Sequence, residues 1–170
     1  MRRAPIENAL YIDPGLDGTG WSYWETLAVF QHGTSAPYST GSIGRVKGGA
    51  DMWVSRVHAQ CELLVEDLRE SVGKIDYIGI EFPGLWAGDA VSYASTSSGD
   101  LFKLAFMVGA LAECLSRTYG PTPELFSPQE WKGQLSKTQV NQRIERAIKK
   151  SFPNHVSDAV GMGLAAAGLL

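Results

Sequence analysis

Residues 9–22 read Ala9-Leu10-Tyr11-Ile12-Asp13-Pro14-Gly15-Leu16-Asp17-Gly18-Thr19-Gly20-Trp21-Ser22, an apolar run that ends on a carboxylate and continues into a glycine-rich turn. A second extended run, Trp21 to Trp24, follows, so the pattern predicts two adjacent strands with Asp13 at the end of the first. A carboxylate on such a rigid support suits a metal ion or a phosphate. On its own the stretch favours a plain Asp-Pro-Gly turn, because Asp favours turn starts and Gly supplies positive φ.

The composition is that of an ordinary soluble globule: 170 residues, 44% of them apolar, with a formal net charge of −3. This length suits one domain with a single core. No apolar run is long enough to span a membrane, and the first residues lack the apolar core of a signal peptide, so we expect a cytoplasmic protein. Cys61 and Cys114 fall in helix-like stretches and are expected to be buried thiols, since a zinc site has no partners for them. The acidic balance argues against a strongly basic nucleic-acid coat.

The first half of the chain alternates strands with one long helix. An amphipathic helix is predicted from about Ala50 to Ser71, and a short buried strand, Tyr77–Ile80, then ends on Glu81. Thr26–Phe30 either extends the second strand or pairs beside it, and Gln31–Gly49 is a long connection with room for one short strand. A strand-helix-strand passage implies parallel pairing within a mixed sheet.

The second half is mainly helical. The apolar positions of Leu101–Leu115 are too many for one stripe, which a dimer contact or a central helix of the domain would explain. A short strand at Glu124–Phe126 leads into a capping box that begins at Ser127. Two further helices are predicted over Lys137–Ser151 and Val156–Leu170.

Two segments suit contacts with a polyanion. Residues 128–152 hold six basic and two acidic side chains, Arg143 among the basic ones, so phosphate contacts are expected there although a solvated helix face explains some of the excess. Trp86 lies in a Pro- and Gly-rich loop just after Glu81, where packing and DNA contact are equally good interpretations.

Four groups that can bind metal are predicted to converge. Asp13 and Glu81 end separate buried strands, and parallel neighbours bring their carboxyl ends to the same edge of a sheet. His155 and Asp158 are three residues apart at a helix start, so both can point to one side. Clustered carboxylates repel one another, and divalent cations relieve that repulsion. Two such cations can activate water and stabilise the leaving oxygen in phosphodiester hydrolysis.

The ordered set of motifs resembles the RuvC-type Holliday-junction resolvases of the RNase H-like superfamily, over nearly the whole chain. Tyr11-Ile12-Asp13-Pro14-Gly15 with Thr19-Gly20-Trp21 is similar to that family's first strand, and Ile78-Gly79-Ile80-Glu81 to its second catalytic strand. Residues 128–132 and 137–140 look like its basic helix-loop-helix stretch. Ser157-Asp158-Ala159-Val160-Gly161 looks like its last motif, and His155 stands where the family usually has an Asp.

The resemblance implies an α/β fold with a mixed central sheet, three antiparallel N-terminal strands plus parallel strands, flanked by helices in a single domain spanning 1–170. It implies that the metal ligands are Asp13, Glu81, His155 and Asp158, holding two divalent ions, Mg²⁺ or Mn²⁺. It also implies DNA contacts through Lys132 and Lys137, with Lys137 stabilising charge at the scissile phosphate. The implied activity is resolution of four-way DNA junctions in recombination and repair by paired nicks, made by a homodimer in a bacterial or phage-infected cell.

Two alternatives remain open at this point. The glycine-rich strand-turn-strand from Asp13 to Trp21 also resembles the phosphate loop of sugar kinases and actin-like ATPases, although those chains are usually much longer and have two such domains. A non-catalytic DNA-binding protein of the same fold is the other alternative, against which the three carboxylates Asp13, Glu81 and Asp158 argue.

Overall fold

The computed structural model describes residues 7–26, 37–47, 52–84 and 99–170, and its elements follow the predicted order. The strands within these ranges are β1 (Glu7–Asp13), β2 (Gly18–Thr26), β3 (Ser39–Gly44), β4 (Tyr77–Glu81) and β5 (Glu124–Phe126). The helices are α1 (Trp53–Ser71), α2 (Asp100–Tyr119), α3 (Pro128–Lys132), α4 (Lys137–Ile148) and α5 (Asn154–Ala166).

The five strands form one mixed sheet in the order β3-β2-β1-β4-β5. The β1–β2 and β2–β3 pairs are antiparallel, whereas β4 lies parallel to both β1 and β5. The predicted sheet, three antiparallel N-terminal strands plus parallel strands, is therefore confirmed. Its third strand, β3 at Ser39–Gly44, lies in the predicted long connection, and Thr26 is the last residue of β2. The rest of the apolar run, residues 27–30, lies outside the described ranges.

Alternation along the central strands divides the core between two faces of the sheet. Leu10 and Ile12 of β1 point to the side covered by α1 and α2, which we call the first face. Ala9 and Tyr11 point to the side covered by α3, α4 and α5, which we call the second face. Because side chains alternate with period two, Asp13 belongs to the second face, with Ala9 and Tyr11.

The first face is packed mainly by aliphatic side chains of the sheet and of two long helices. The buried positions of α1 recur at helical spacing, as predicted, and include Val57, Cys61, Leu64 and Leu68. Burial raises the pKa of Cys61 to about 12, so this thiol stays neutral, whereas Cys114 on α2 is partly exposed. In α2 the buried residues are Met107, Val108, Leu111 and Leu115.

Helix α2 is not a central helix of the domain. It packs against α1 and β4, and its apolar residues Phe102 and Phe106 remain 69% and 42% exposed. They lie one turn apart on the same side, so the apolar excess noted in the sequence is an exposed patch on the single chain. The explanation by a central helix therefore does not apply, and the dimer contact stays a prediction.

The second face depends on close backbone approach. Helix α5 crosses β2 and β1, and a methyl group added at Gly20 would overlap the backbone between His155 and Val156. Gly163 likewise leaves room for the Trp24 ring, and Gly161 for the ring of Trp131. These glycines let the last helix lie directly on the first two strands.

The predicted capping box is confirmed, and four tryptophans lie wholly or partly in the core. Trp21, Trp24 and Trp131 are buried in the core, and Trp53 packs partly buried against it. The Ser127 capping box is present, with the carboxylate of Glu130 accepting from the Ser127 N–H at 2.7 Å. Trp86 lies outside the described residues. Within the described part of the chain, no helix is long and apolar enough to cross a membrane.

Candidate active site

Strand register places the first two carboxylates side by side. Ile12 of β1 pairs with Ile80 of β4 in parallel register, so Asp13 and Glu81 each follow at the end of their strand. Adjacent strands lie about 4.8 Å apart, and both residues belong to the second face. The sheet therefore brings these two carboxylates together at one edge, as the sequence predicted.

The first turn of α5 brings the other two predicted groups to the same edge. His155 Nδ1 lies 2.8 Å from Asp13 Oδ2, and the side chain of Asp13 is only 8% exposed. Gly15 makes this approach possible, because a Cβ there would lie 2.6 Å from His155 Cε1. Asp158 follows one helical turn later, with a side chain 14% exposed.

Lys137 also lies in this cluster. Its ammonium group is paired with Asp158 Oδ2 and donates to the backbone carbonyl of Asn154 at 3.1 Å. Helix α4 presents it at its first residue, directly after a capping box formed by Ser136 and Gln139. A cation therefore stands beside the carboxylates, at a position the sequence had predicted for the site.

Trp131 contributes a contact that the sequence did not predict. Its indole Nε1–H donates to Glu81 Oε2 at 2.7 Å, across 50 residues of sequence. The ring is otherwise buried in the second-face core. The only signal in the sequence was a tryptophan in the short capped helix. Its indole has one polar atom, which needs an acceptor when the ring is buried.

Burial and mutual repulsion dominate the electrostatics of the cluster. Burial raises the pKa of Asp13, the hydrogen bond from His155 opposes the rise, and the charge of Asp158 adds to it. Burial and the nearby Asp13 raise the pKa of Glu81 to about 7, against the Trp131 hydrogen bond. The Asp13 carboxylate in turn raises the pKa of His155.

The carboxylates and the imidazole are the kinds of ligand that bind a divalent cation. In this structure, however, they form hydrogen bonds and ion pairs with one another and with neighbouring side chains. Asp13, Glu81 and Asp158 are close enough for the pKa of Asp13 and of Glu81 to be raised by neighbouring carboxylates. Asp158 Oδ1 is buried with no hydrogen-bond partner among the described residues, so it is an acceptor in need of a positive group. Among the described residues, no group of three or more His, Cys, Asp or Glu side chains is arranged to hold a metal ion. The carboxylate oxygens instead face His155, Lys137 and Trp131.

The residues predicted for DNA contact differ in how near they lie to the cluster. Lys132 sits over the Trp131 ring, 5.3 Å from its centroid, and its charge favours the ionised form of Glu81. Arg143 is exposed on α4. Trp86 cannot be placed, since it lies outside the described residues. The structure thus brings Lys132 and Lys137 to the cluster and leaves Arg143 on the outer surface of the helix.

The sheet order and the helices on both faces define the RNase H-like fold class, in agreement with the fold predicted from the sequence. Within that class the chain is similar to two solved structures of one bacterial protein. It superposes on "T. thermophilus RuvC in complex with Holliday junction substrate" with a TM-score of 0.62 and 16% identity, covering 94% of this chain and 92% of that one. For "Thermus thermophilus RuvC structure" the TM-score is 0.58 and the identity 18%, with 92% and 91% covered.

At these identities the similarity concerns the fold. No protein-family model matches the sequence, and no curated protein sequence is significantly similar to it. The predicted resemblance to RuvC-type resolvases is therefore confirmed through the three-dimensional structure, over more than nine tenths of the chain.

Proposed function

We propose that this protein is a metal-dependent, structure-selective DNA endonuclease that resolves four-way junctions by paired symmetric nicks. The observation that carries the proposal is the convergence of Asp13, Glu81 and Asp158, with His155, at one edge of the sheet. The likeness to a RuvC structure solved with a Holliday junction substrate supports the choice of DNA over a nucleotide. Under this proposal the protein acts in the cytoplasm of a bacterial or phage-infected cell.

The residues divide the chemistry between them. Asp13, Glu81, His155 and Asp158 would hold two divalent ions, Mg²⁺ or Mn²⁺. A bound metal activates water and neutralises charge on the phosphodiester, so no covalent intermediate is required. Lys137, which pairs with Asp158 in this structure, would offer its ammonium group to the scissile phosphate once another cation at the cluster supplied the counter-charge for Asp158. Trp131 holds Glu81 in place throughout.

Binding is proposed to involve the helical half of the second face. Lys132 and Lys137 would contact phosphates next to the cluster, and Arg143, Arg146, Lys149 and Lys150 extend the positive surface along and just beyond α4. Specificity then comes from the shape and backbone of the junction.

The proposed homodimer supplies the second nick, because two symmetric cuts require two sites related by a two-fold axis. The exposed patch formed by Phe102 and Phe106 on α2 supports this assembly, since apolar side chains this exposed favour burial against another surface.

The decisive experiment presents a synthetic four-way junction, a replication fork, a flap and a linear duplex side by side, with Mg²⁺, Mn²⁺ or EDTA. We expect symmetric nicks in the four-way junction that depend on metal. ATP hydrolysis in the same preparation tests the kinase-like alternative. Absence of cutting in either metal, with folded protein, would refute the proposed activity.

A further inference from the structure

A cavity of about 340 Å³ lies beside the turn that connects β1 to β2. Its wall combines Asp17 of that turn with Arg45 after β3 and with the first turns of α1 and α2, including Trp53, Arg56 and Lys103. Three cationic side chains line it, against the two carboxylates of Asp17 and Asp100. None of the described residues that line it belongs to the carboxylate cluster, so this cavity, the Arg56 pocket, is a separate site.

One hydrogen-bond donor that lines the pocket has no acceptor. The Nε–H of Arg56 is buried and has no partner among the described residues. Both carboxylates of the pocket already pair with the other cations, Asp17 with Arg45 at 3.1 Å and Asp100 with Lys103 at 2.8 Å. A buried donor without an acceptor is unfavourable and calls for an explanation. An oxyanion that entered the pocket would supply the acceptor, and the guanidinium fork suits the oxygens of a phosphate.

The other two cations are free to turn towards such a ligand. The side chains of Arg45 and Asp17 are 59% and 75% exposed, and those of Lys103 and Asp100 are 37% and 50% exposed. Ion pairs this exposed contribute little to stability and are screened by salt. An incoming anion can therefore compete for both cations, while the backbone around the pocket stays fixed because Gln60 Nε2 donates to Thr19 Oγ1 at 2.9 Å and to the Gly15 carbonyl.

The pocket and the carboxylate cluster lie on either side of one short turn. Gly15 of this turn faces His155, whereas Leu16 and Asp17 line the pocket. Leu16 is three positions after Asp13 in the sequence, so their Cα atoms are at most about 11 Å apart. A DNA strand advances about 3.4 Å along the helix axis per nucleotide. A phosphate at the Leu16 wall of the pocket would therefore belong to a nucleotide within roughly three of the one at the cluster.

We propose that the Arg56 pocket binds a backbone phosphate of the same DNA strand that lies at the carboxylate cluster, within roughly three nucleotides of the phosphate there. This inference rests on the proposed function for the identity of the ligand, but the pocket itself is an oxyanion site whether or not the protein cuts DNA. Its role is to fix the register of the strand relative to the cluster, because a phosphate contact positions a nucleic acid without reading its sequence.

The first test uses inorganic phosphate as the probe and the Arg56 Nε–H as the reporter. Its ¹H–¹⁵N signal is assigned by its loss in Arg56→Gln, and the full-length protein is titrated with phosphate in EDTA. We expect a saturable shift of this signal in the parent protein. The shift should be smaller in Arg45→Gln, which keeps Arg56 but loses a second cation of the pocket. Titration with sodium chloride to the same ionic strength should leave the signal in place. A signal that does not respond to phosphate would overturn the proposal.

The second test measures affinity for a four-way junction as a function of salt, in an Asp13→Asn background that prevents cutting. Arg56→Gln should weaken binding roughly tenfold to a hundredfold and reduce the slope of log affinity against log salt by about 0.9. Arg56→Lys, which keeps the charge but loses the fork, should recover part of the affinity. Arg69→Gln, on an exposed turn at the far end of the same helix, is the matched control and should leave affinity and slope unchanged.

The two tests separate this inference from the proposed function. A phosphate response at Arg56, together with a lower salt slope in Arg56→Gln, supports the pocket even in a protein that binds junctions without cutting them. A phosphate response with junction affinity unchanged in Arg56→Gln would overturn the DNA assignment and point to a carboxylate or phosphate of another partner. Failure of metal-dependent cutting alone refutes the activity and leaves the pocket standing.

Discussion

The two faces of the sheet are built by different means. On the first face most buried residues are apolar, such as Leu10, Ile12 and Leu64, although Trp21 Nε1 donates to Asp67 Oδ2. On the second face, helix α5 lies against glycine backbone, and Trp24 Nε1 donates to Ser22 Oγ, which donates to the Ala159 carbonyl. The carboxylate cluster stands at the end of this second face. The first face depends mainly on apolar packing of two helices against the sheet, whereas the second brings a helix into contact with strand backbone and carries the carboxylate cluster.

The largest difference expected between the faces is in catalysis. Asp13→Asn or Glu81→Gln removes a charged ligand with little change of volume, so cleavage should fall about a thousandfold or more while folding and DNA binding persist. Val108→Ala on the first face should lower the free energy of unfolding by about 1–3 kcal/mol but leave the cleavage rate nearly unchanged. Single-turnover cleavage and denaturant unfolding measure both. Near wild-type cutting by either carboxylate variant would show that the proposed site is wrong.

A pair of glycine substitutions compares the faces through stability. Gly20→Ala should lower the free energy of unfolding by about 3 kcal/mol, because its methyl group would overlap the backbone of α5. Gly109→Ala on α2, where an added Cβ meets nothing within 4 Å, should instead raise it by about 0.5–1 kcal/mol through helix propensity. Urea denaturation measures both variants. If Gly20→Ala proves as stable as the parent, the close packing of α5 on β2 is not as described.

The Trp131 contact can be tested against another indole on the same face. Trp131→Phe keeps the ring but removes the donor to Glu81, and loss of such a supporting hydrogen bond typically weakens metal affinity about tenfold to a hundredfold. Trp24→Phe also loses an indole hydrogen bond, but to Ser22, and should leave metal affinity unchanged. Calorimetric titration with Mn²⁺ separates the two. Equal losses in both variants would mean that Trp131 acts through packing alone.

The pH dependence of stability provides a finer test of the cluster. Glu81 has its pKa raised from 4.5 to about 7 in the folded protein, so its contribution to stability is full below pH 4.5 and is lost as pH rises through 7. In EDTA, Glu81→Gln should therefore unfold with a free energy up to about 3 kcal/mol higher than the parent above pH 7, and about equal at pH 4. Thermal and urea unfolding across this range measure the difference. An identical pH profile for both proteins would contradict the burial of an ionisable Glu81.

The smallest expected effect concerns the lysines beside the cluster. Lys132→Ala and Lys137→Ala should each reduce the salt slope of junction binding by about 0.9, since one phosphate contact is lost. Lys74→Ala, which removes a lysine paired with Asp76 at the opposite end of β4, should leave the slope unchanged. If all three variants have the parent slope, Lys132 and Lys137 are solvated lysines rather than phosphate ligands.

The contrast between the faces also explains what the sequence could predict. Periodic apolar patterns define the strands and helices of the first face, and the strand ends point to Asp13 and Glu81. The close approach at Gly20, the indole donor of Trp131 and the unpaired Nε of Arg56 depend on which elements meet in space. No local pattern encodes such meetings, because the partners lie tens to more than a hundred residues apart. The apolar excess of α2 was noticed in the sequence, but only the structure could place it on an exposed surface.

The bond between His155 and Asp13 has a consequence for the synthesis of the protein. It joins residues 142 positions apart, and Ser22 reaches Ala159 over 137. Contacts this distant along the chain form late and slowly in folding. While the chain is emerging from the ribosome, β1 and β4 can pair, but the histidine and the last carboxylate do not yet exist. Under the proposed function the site is therefore incomplete until His155 and Asp158 have been synthesised, and a message truncated before the codon for His155 should yield a product unable to cut DNA.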